Sequence, residues 1–341
     1  MKLMKTEDAV GQVLCHDITQ IIRGVTKDAV FRKGHVITEE DIPVLLSVGK
    51  EHVYIWEKDE NMLHENEAAD ILRQICQSEG MHATEPKEGK IELIADTDGL
   101  LMVNLEGLRA VNELGDMMIA ARTSGFPVKK GDKLCGTRVI PLVIGKERMA
   151  LARRAAGSEP LLKLYSMKPK TYGVVTTGSE VFYGRIEDTF TPVIEEKLKE
   201  YGCEMKMHQT VSDDPEEIVR AICQMRDAGL DMIFCTGGMS VDPDDRTPLA
   251  IRRSGARIVS YGAPVLPGAM FLMAYLEDGR PVCGLPGCVM YAKRTIFDLV
   301  LPRLLADVPV TARWLAGLGN GGLCLNCPEC HFPNCGFGKG V

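Results

Sequence analysis

From residue 168 onward, short apolar runs and amphipathic stretches take turns along the chain. Residues 172–176 (Tyr-Gly-Val-Val-Thr) and 231–235 (Asp-Met-Ile-Phe-Cys) are too short for helices and predict strands. Between them, residues 190–201 predict a helix with Thr191-Pro192 in its first turn and Gly202 past its end. Residues 203–211 predict the next strand, and Asp213 or Asp214 caps a helix that opens at Pro215 and closes at Gly229. A last helix is predicted over 247–254, before Gly255. Strands alternating with helices of about 12 residues specify an α/β domain with a doubly wound, mostly parallel sheet.

The first half reads differently. Residues 10–18, 29–31, 52–56, 90–95, 100–103 and 134–144 have strand character, and Thr38 with Asp41 marks a short helix ending near Gly49. Residues 66–79 predict an amphipathic helix with Ala69, Ile71, Leu72, Ile75 and Cys76 on one side, and 106–114 a shorter one. The charged run from Lys146 to Arg154, followed by Gly157-Ser158-Glu159-Pro160, reads as a hinge. The expected organisation is therefore a β-rich region at 1–150, a linker at 151–167, the α/β domain at 168–318 and a cysteine-rich tail at 319–341.

Composition narrows the function classes. At 341 residues, with 45% hydrophobic and 26% charged positions, the chain suits two soluble domains and a tail. A net charge of −7 without a basic run argues against nucleic acid as a partner. No apolar stretch reaches membrane-span length and no signal-peptide core opens the chain, so the expectation is a cytoplasmic protein with no membrane partner. Four of the twelve cysteines crowd into the tail as Cys324-x2-Cys327-x2-Cys330-x4-Cys335, a metal-site pattern in a chain without a secretory signal. The spacing suits an iron–sulfur cluster, and four thiolates suit tetrahedral Zn²⁺ equally.

The candidate chemistry sits where predicted strands end. Thr177-Gly178-Ser179-Glu180 follows one strand; Gly237-Gly238, with Ser240 beyond, follows another. Glycines there let backbone N–H groups approach phosphate oxygens. Leu285-Pro286-Gly287 precedes a predicted apolar helix at 289–305 whose first N–H groups can receive an anion, and Leu266-Pro267-Gly268 repeats the string upstream. Asp242, Asp244, Asp245 and Arg246 give their loop a charge of about −2. A dianionic phosphate ~5 Å away is disfavoured by roughly 3 kcal/mol per like-charge pair at an effective dielectric near 20. One helix terminus offsets at most about 2 kcal/mol. Repulsion wins unless a cation intervenes, so Mg²⁺ is expected, with Asp188, Asp242 and Asp245 as its candidate ligands.

The order and spacing of Thr177-Gly178-Ser179-Glu180, Gly184-Arg185-Ile186-Glu187-Asp188-Thr189, Asp213-Asp214-Pro215, Gly237-Gly238 with Asp245, and Leu285-Pro286-Gly287 carry a family resemblance. Residues from about 168 to 305 resemble the molybdopterin-binding domain shared by molybdopterin adenylyltransferases and molybdenumtransferases. The β-rich leader makes the arrangement look more like the molybdenumtransferases. That resemblance implies molybdopterin or adenylyl-molybdopterin as ligand, molybdate as co-substrate, release of AMP, and a homo-oligomer. It implies Asp188 and Asp245 as catalytic acids near the phosphate and its metal. Thr177, Gly178, Ser179, Glu180, Gly237, Gly238, Ser240, Pro286 and Gly287 are the implied ligand contacts, and Ser260, Tyr261 and Arg294 are further candidates.

Three departures stand beside it. Phe190 and Cys288-Val289 occupy positions where the family usually has Asn and Asn-Pro, and residues 1–150 lack its Met-Asp-Gly-Tyr-Ala string. Two rival readings therefore remain: a non-catalytic cofactor carrier or sensor, and a nucleotide-sugar (ADP-ribose) pyrophosphatase like the competence-damage-inducible family, which uses the same domain.

Overall fold

The computed structural model describes residues 1–22, 26–55, 59–240 and 245–340. The chain divides into two units, the first comprising Met1–Asp96, Val103–Arg122 and Gly131–Lys163. In it, β1 (Lys2–Lys5), β2 (Ile18–Ile22), β3 (Thr26–Phe31), α1 (Asp41–Ser47) and β4 (His52–Ile55) close around Leu14, Ile37, Leu45 and Val53. The expected strand end at Trp56 lies outside the described residues. Next come β5 (Met62–His64), α2 (Glu65–Cys76), β6 (Met81–Ala83) and β7 (Lys90–Ala95). Helix α2 starts in a capping box, in which Glu67 accepts from the His64 N–H at 2.8 Å. It buries Ala68, Ala69, Leu72, Ile75 and Cys76 at helical spacing.

Further along lie β8 (Gly99–Val103), α3 (Leu105–Asn112), β9 (Met117–Ala121), β10 (Phe126–Val128), β11 (Lys133–Val139), β12 (Val143–Gly145), α4 (Lys146–Ala156) and β13 (Leu162–Tyr165). Strands β6, β7, β11 and β9 form one antiparallel sheet, in that order. The stretch expected to be a linker is structured: α4 extends to Ala156 because Met149, Ala152 and Ala156 form a buried stripe within the charged run, and β13 follows.

The second unit comprises Thr97–Met102, Thr123–Lys130 and Leu164–Val341. It contains β14 (Thr171–Thr177), α5 (Ser179–Phe182), α6 (Phe190–Lys199), β15 (Glu204–Val211), α7 (Pro215–Asp227), β16 (Met232–Thr236) and α8 (Thr247–Arg253). After these come β17 (Arg257–Tyr261), β18 (Leu272–Tyr275), β19 (Pro281–Leu285), α9 (Ile296–Leu305) and α10 (Ala312–Gly317). One six-stranded sheet runs β15-β14-β16-β19-β18-β17. Its first four strands are parallel and β18 alone runs against them, pairing antiparallel with β19 and β17, which is the mostly parallel, doubly wound sheet the alternating pattern predicts.

The two-residue period of the strands sorts their side chains between two cores. Tyr172, Val174 and Phe234 face Ile194 and Leu198 of α6 and Phe297, Val300 and Leu304 of α9. Val175, Ile233 and Cys235 face Ile218, Ile222 and Met225 of α7 and Ile251 of α8. Gly173 lets α7 sit close, since a Cβ there would stand 2.4 Å from Met225 Sδ.

Two expectations are corrected. The apolar helix expected at 289–305 begins only at Ile296, because Thr295 and Asp298 form a capping box there and the segment Gly287–Met290 is a separate 3-10 turn. The tail, expected as a segment of its own at 319–341, belongs to the same unit as the α/β domain. Its backbone pairs with the 266 loop (Leu266 N–H to Gly322 O, Cys324 N–H to Leu266 O, both 2.8 Å), and Phe337 is buried in the α9 core. The Asn320-Gly321-Gly322 stretch is packed as well, since a Cβ on Gly322 would lie 2.3 Å from Pro264 O.

Candidate functional site

Strand register places the predicted motifs side by side. In the parallel ladders Thr176 pairs with Thr236, Thr236 with Leu285, and Thr177 with Val211. The loops beginning at Gly178, Gly237, Pro286 and Ser212 therefore leave one edge of the sheet, the carboxyl edge. Strand order reverses there, since β14 has β15 on one side and β16 on the other. Ligands of open α/β sheets bind at such a reversal.

The β14 and β16 loops are locked together. Thr177 Oγ1 lies 3.1 Å from Thr247 Oγ1, which also donates to Gly237 O at 2.9 Å. Gly237 and Gly238 have φ of +80° and +54°, and a Cβ on Gly237 would stand 2.1 Å from Thr177 O. The structure thus accounts for the glycine pair through close approach of two loops as well as through left-handed backbone. Gly178, at φ +134°, makes the turn from β14 into α5.

The polar groups of the rim are engaged with one another. Ser179 donates both its N–H and its hydroxyl to Asp213, at 2.8 and 2.9 Å, tying the β14 loop to the β15 loop. Asp188 accepts from the Thr176 and Thr191 hydroxyls at 2.9 and 2.6 Å and from the Phe190 and Thr191 N–H groups at 2.9 and 3.1 Å. His208 Nε2 on β15 lies 3.2 Å from the same carboxylate. Burial alone would raise the Asp188 carboxyl, but the hydrogen bonds from Thr191, Thr176 and Phe190 outweigh it and hold it below the usual carboxylate range. Asp188 therefore serves as a clasp at the start of α6.

Asp245 lies on the other side of the crevice, before α8. Its Oδ2 accepts from the Ser240 N–H at 2.7 Å, and Tyr261 closes the same loop by donating to Met239 O at 3.0 Å. Asp242 and Asp244 lie outside the described residues. Among the described residues no three His, Cys, Asp or Glu side chains gather around one point, so neither a ready-made acidic metal site nor a closed four-cysteine site is present. Asp188 turns inward, and Asp245 bonds within its own loop.

Glu180 is exposed on α5, Pro286 is buried at the end of β19, and Gly287 is exposed at the rim. Ser260 bonds Gly262 O, and Arg294 pairs with Asp298 at 2.9 Å on the tail side of the fold. Phe190, one of the departures, packs on the α6–α9 core, where its apolar ring belongs. Sequence reasoning missed His208, Thr191 and Thr247. A histidine among the alternating residues of β15 and a threonine opening a helix carry little signal alone; only the β14–β15 and β14–β16 pairings bring them to the edge.

Residues 173–306 match the family model described as a probable molybdopterin binding domain, and residues 3–57 match a domain of unknown function. A molybdopterin molybdenumtransferase from Synechococcus elongatus is 28% identical over 196 residues, covering 54% of this chain and 46% of that protein. A CinA-like protein from Mycobacterium avium is 33% identical over 93 residues, 27% of this chain and 21% of its own length. The chain thus spans less than half the length of these curated relatives. Among solved structures, the molybdopterin biosynthesis enzyme MoaB from Thermus thermophilus is 26% identical, with a TM-score of 0.37 over 41% of this chain and 94% of that one.

Proposed function

We propose that this chain, whose residues 173–306 carry a domain of the molybdopterin-binding family, binds molybdopterin or its adenylylated form at the carboxyl edge of β14, β16 and β19. The observation that carries the reading is the convergence of the Gly178, Gly237 and Gly287 loops on the point where strand order reverses. Thr177, Gly178, Ser179, Gly237, Gly238, Ser240, Pro286 and Gly287 line the phosphate side of the ligand, and Glu180 stands at its outer margin. A phosphate that takes the Ser179 donors displaces Asp213 from them.

The reaction is molybdate insertion with loss of AMP. Mg²⁺ supplies charge neutralisation at the phosphoanhydride when bound. In such sites one or two protein carboxylates and the substrate phosphates hold this ion, so a cluster of three protein ligands is not required. Asp245 fits the role, because among the described residues its Oδ2 accepts from the Ser240 N–H and no bond to Oδ1 is made; Asp242 is its proposed companion. Asp188 acts by holding Thr176 and the start of α6 in place beside the ligand.

Calorimetry with molybdopterin in Mg²⁺ and in EDTA tests the binding, and AMP release from adenylyl-molybdopterin with molybdate tests the reaction. Asp245→Asn is expected to keep the fold and lower AMP release at least tenfold. Binding that is tight without AMP release selects a carrier or sensor instead. The CinA-like relatives favour one further reading, a nucleotide-sugar pyrophosphatase, which ADP-ribose hydrolysis by the pure protein would reveal. No helix among the described residues is long and apolar enough to cross a membrane. As part of the same proposal, the protein works in the cytoplasm as a homo-oligomer.

A further inference from the structure

The cysteines that the proposed reaction does not use share one place. Cys324, Cys327, Cys330 and Cys335 all line a single cavity of about 240 Å³ between the tail and the segment that follows the Gly287–Met290 turn. We propose that these four thiolates hold a [4Fe–4S] cluster in that cavity.

Size is the first argument. The space is far larger than one ion fills. A single tetrahedral Zn²⁺ requires four sulfurs each about 2.3 Å from one centre, leaving no cavity among them. Here the four thiols line a common wall without converging on a point. A cubane with its own sulfides fills such a space and takes its cysteines at the corners. Two-residue gaps between the first three cysteines let one short loop reach three corners, and the four-residue gap lets Cys335 return from the far side.

Charge is the second. A [4Fe–4S]²⁺ core with four thiolates is a dianion, and two cationic side chains line the cavity, Lys293 and Arg294, the second also paired with Asp298 at 2.9 Å. The Arg294 guanidinium stacks 5.1 Å over the Phe332 ring, while its Nε is buried with no hydrogen-bond partner among the described residues. Lys293 Nζ donates to Pro328 O at 3.1 Å, inside the loop between Cys327 and Cys330. Cluster sulfides accept such N–H bonds, which stabilise the bound charge. The frame is already built, since Cys324 is pinned by its N–H to Leu266 O at 2.8 Å and the far side by buried Phe337.

On loading, four thiols release four protons as four Sγ–Fe bonds form, with two ferric ions, two ferrous ions and four sulfides supplied from outside, so that the 2+ core assembles without a change of oxidation state. The test uses the full chain, purified without oxygen or reconstituted anaerobically with equal amounts of ferrous and ferric iron and with sulfide, and needs no pterin. The expected result is a brown protein with about four irons and four sulfides per chain. In the double variant Cys327→Ser with Cys330→Ser, iron per chain falls at least tenfold while far-UV circular dichroism is unchanged, because both side chains are exposed. Cys223→Ser, on α7, keeps its iron. A colourless protein containing one zinc per chain overturns the proposal, as does iron content indifferent to the double substitution.

Discussion

Thr177 Oγ1 and Thr247 Oγ1 stand 3.1 Å apart, joining the last residue of β14 to the first residue of α8. Both threonines are buried, and the second hydroxyl also reaches Gly237 O. One side chain thus sets the spacing of two loops from neighbouring strands. Replacing Thr247 with Val keeps the volume and strands two buried polar partners, at a cost of about 1–3 kcal/mol. A lower melting temperature and weaker pterin binding are expected for Thr247→Val, with Thr247→Ser, which retains the hydroxyl, close to wild type in binding. Thermal melts beside calorimetry on both variants check this.

Gly237 and Gly229 separate two reasons for glycine. Both have left-handed φ, +80° and +77°, but a Cβ on Gly229 meets nothing within 4 Å, whereas on Gly237 it lands 2.1 Å from Thr177 O. Gly229→Ala should cost about 1 kcal/mol, the conformational part alone. Gly237→Ala must also push the two loops apart and should cost at least about 3 kcal/mol. Urea unfolding of the pair measures the difference; equal midpoints would remove the close approach from the account of this edge.

How much of this was readable beforehand follows from where each signal lies. The parallel sheet was legible because Val174, Val175, Ile233 and Phe234 form short apolar runs separated by helices with their own caps and glycine stops. The motifs at its edge were legible because they sit at the ends of those runs. Asp188 was legible as a special acid, but its role was not: its partners Thr176, Thr191 and His208 are set by β14–β15 pairing and by the turn into α6. Helix α4 was hidden by its charges, which mask a stripe of only three buried residues. The helix start at Ile296 was hidden because Pro286-Gly287 is the stronger local punctuation, while the true cap, Thr295 with Asp298, lies eight residues further on.

Asp188 also gives a pH dependence of definite sign. Its folded carboxyl is held below the ordinary value, so its contribution to stability is fully present above the unfolded pKa of about 3.9. That contribution is lost as the pH falls through the lower folded value, because protonation removes the acceptor for Thr176, Thr191 and Phe190. The wild-type urea midpoint should therefore fall on acidification below about pH 4. Asp188→Asn should begin lower at neutral pH, by about 1–3 kcal/mol, and show a shallower acid slope. Parallel slopes for the two proteins would assign the acid sensitivity to other carboxylates.

Phe337 tests whether the tail belongs to the α/β domain. It is 4% exposed and packs in the core that includes Phe297, Leu299 and Val300, with the Phe332 ring 6.1 Å away. Gly338 comes next at φ +76°, a left-handed conformation that favours glycine, and a Cβ there would stand 2.4 Å from Leu299 Cδ2 on α9. A tail held only by its own loops would lose Phe337 at no cost to the rest. A tail keyed into the core would lose about 3–5 kcal/mol on Phe337→Ala, as other buried aromatic truncations do. We expect the larger loss, in a single cooperative transition. Metal-free protein is the form to measure, because a bound cluster would add its own stabilisation and mask the packing contribution.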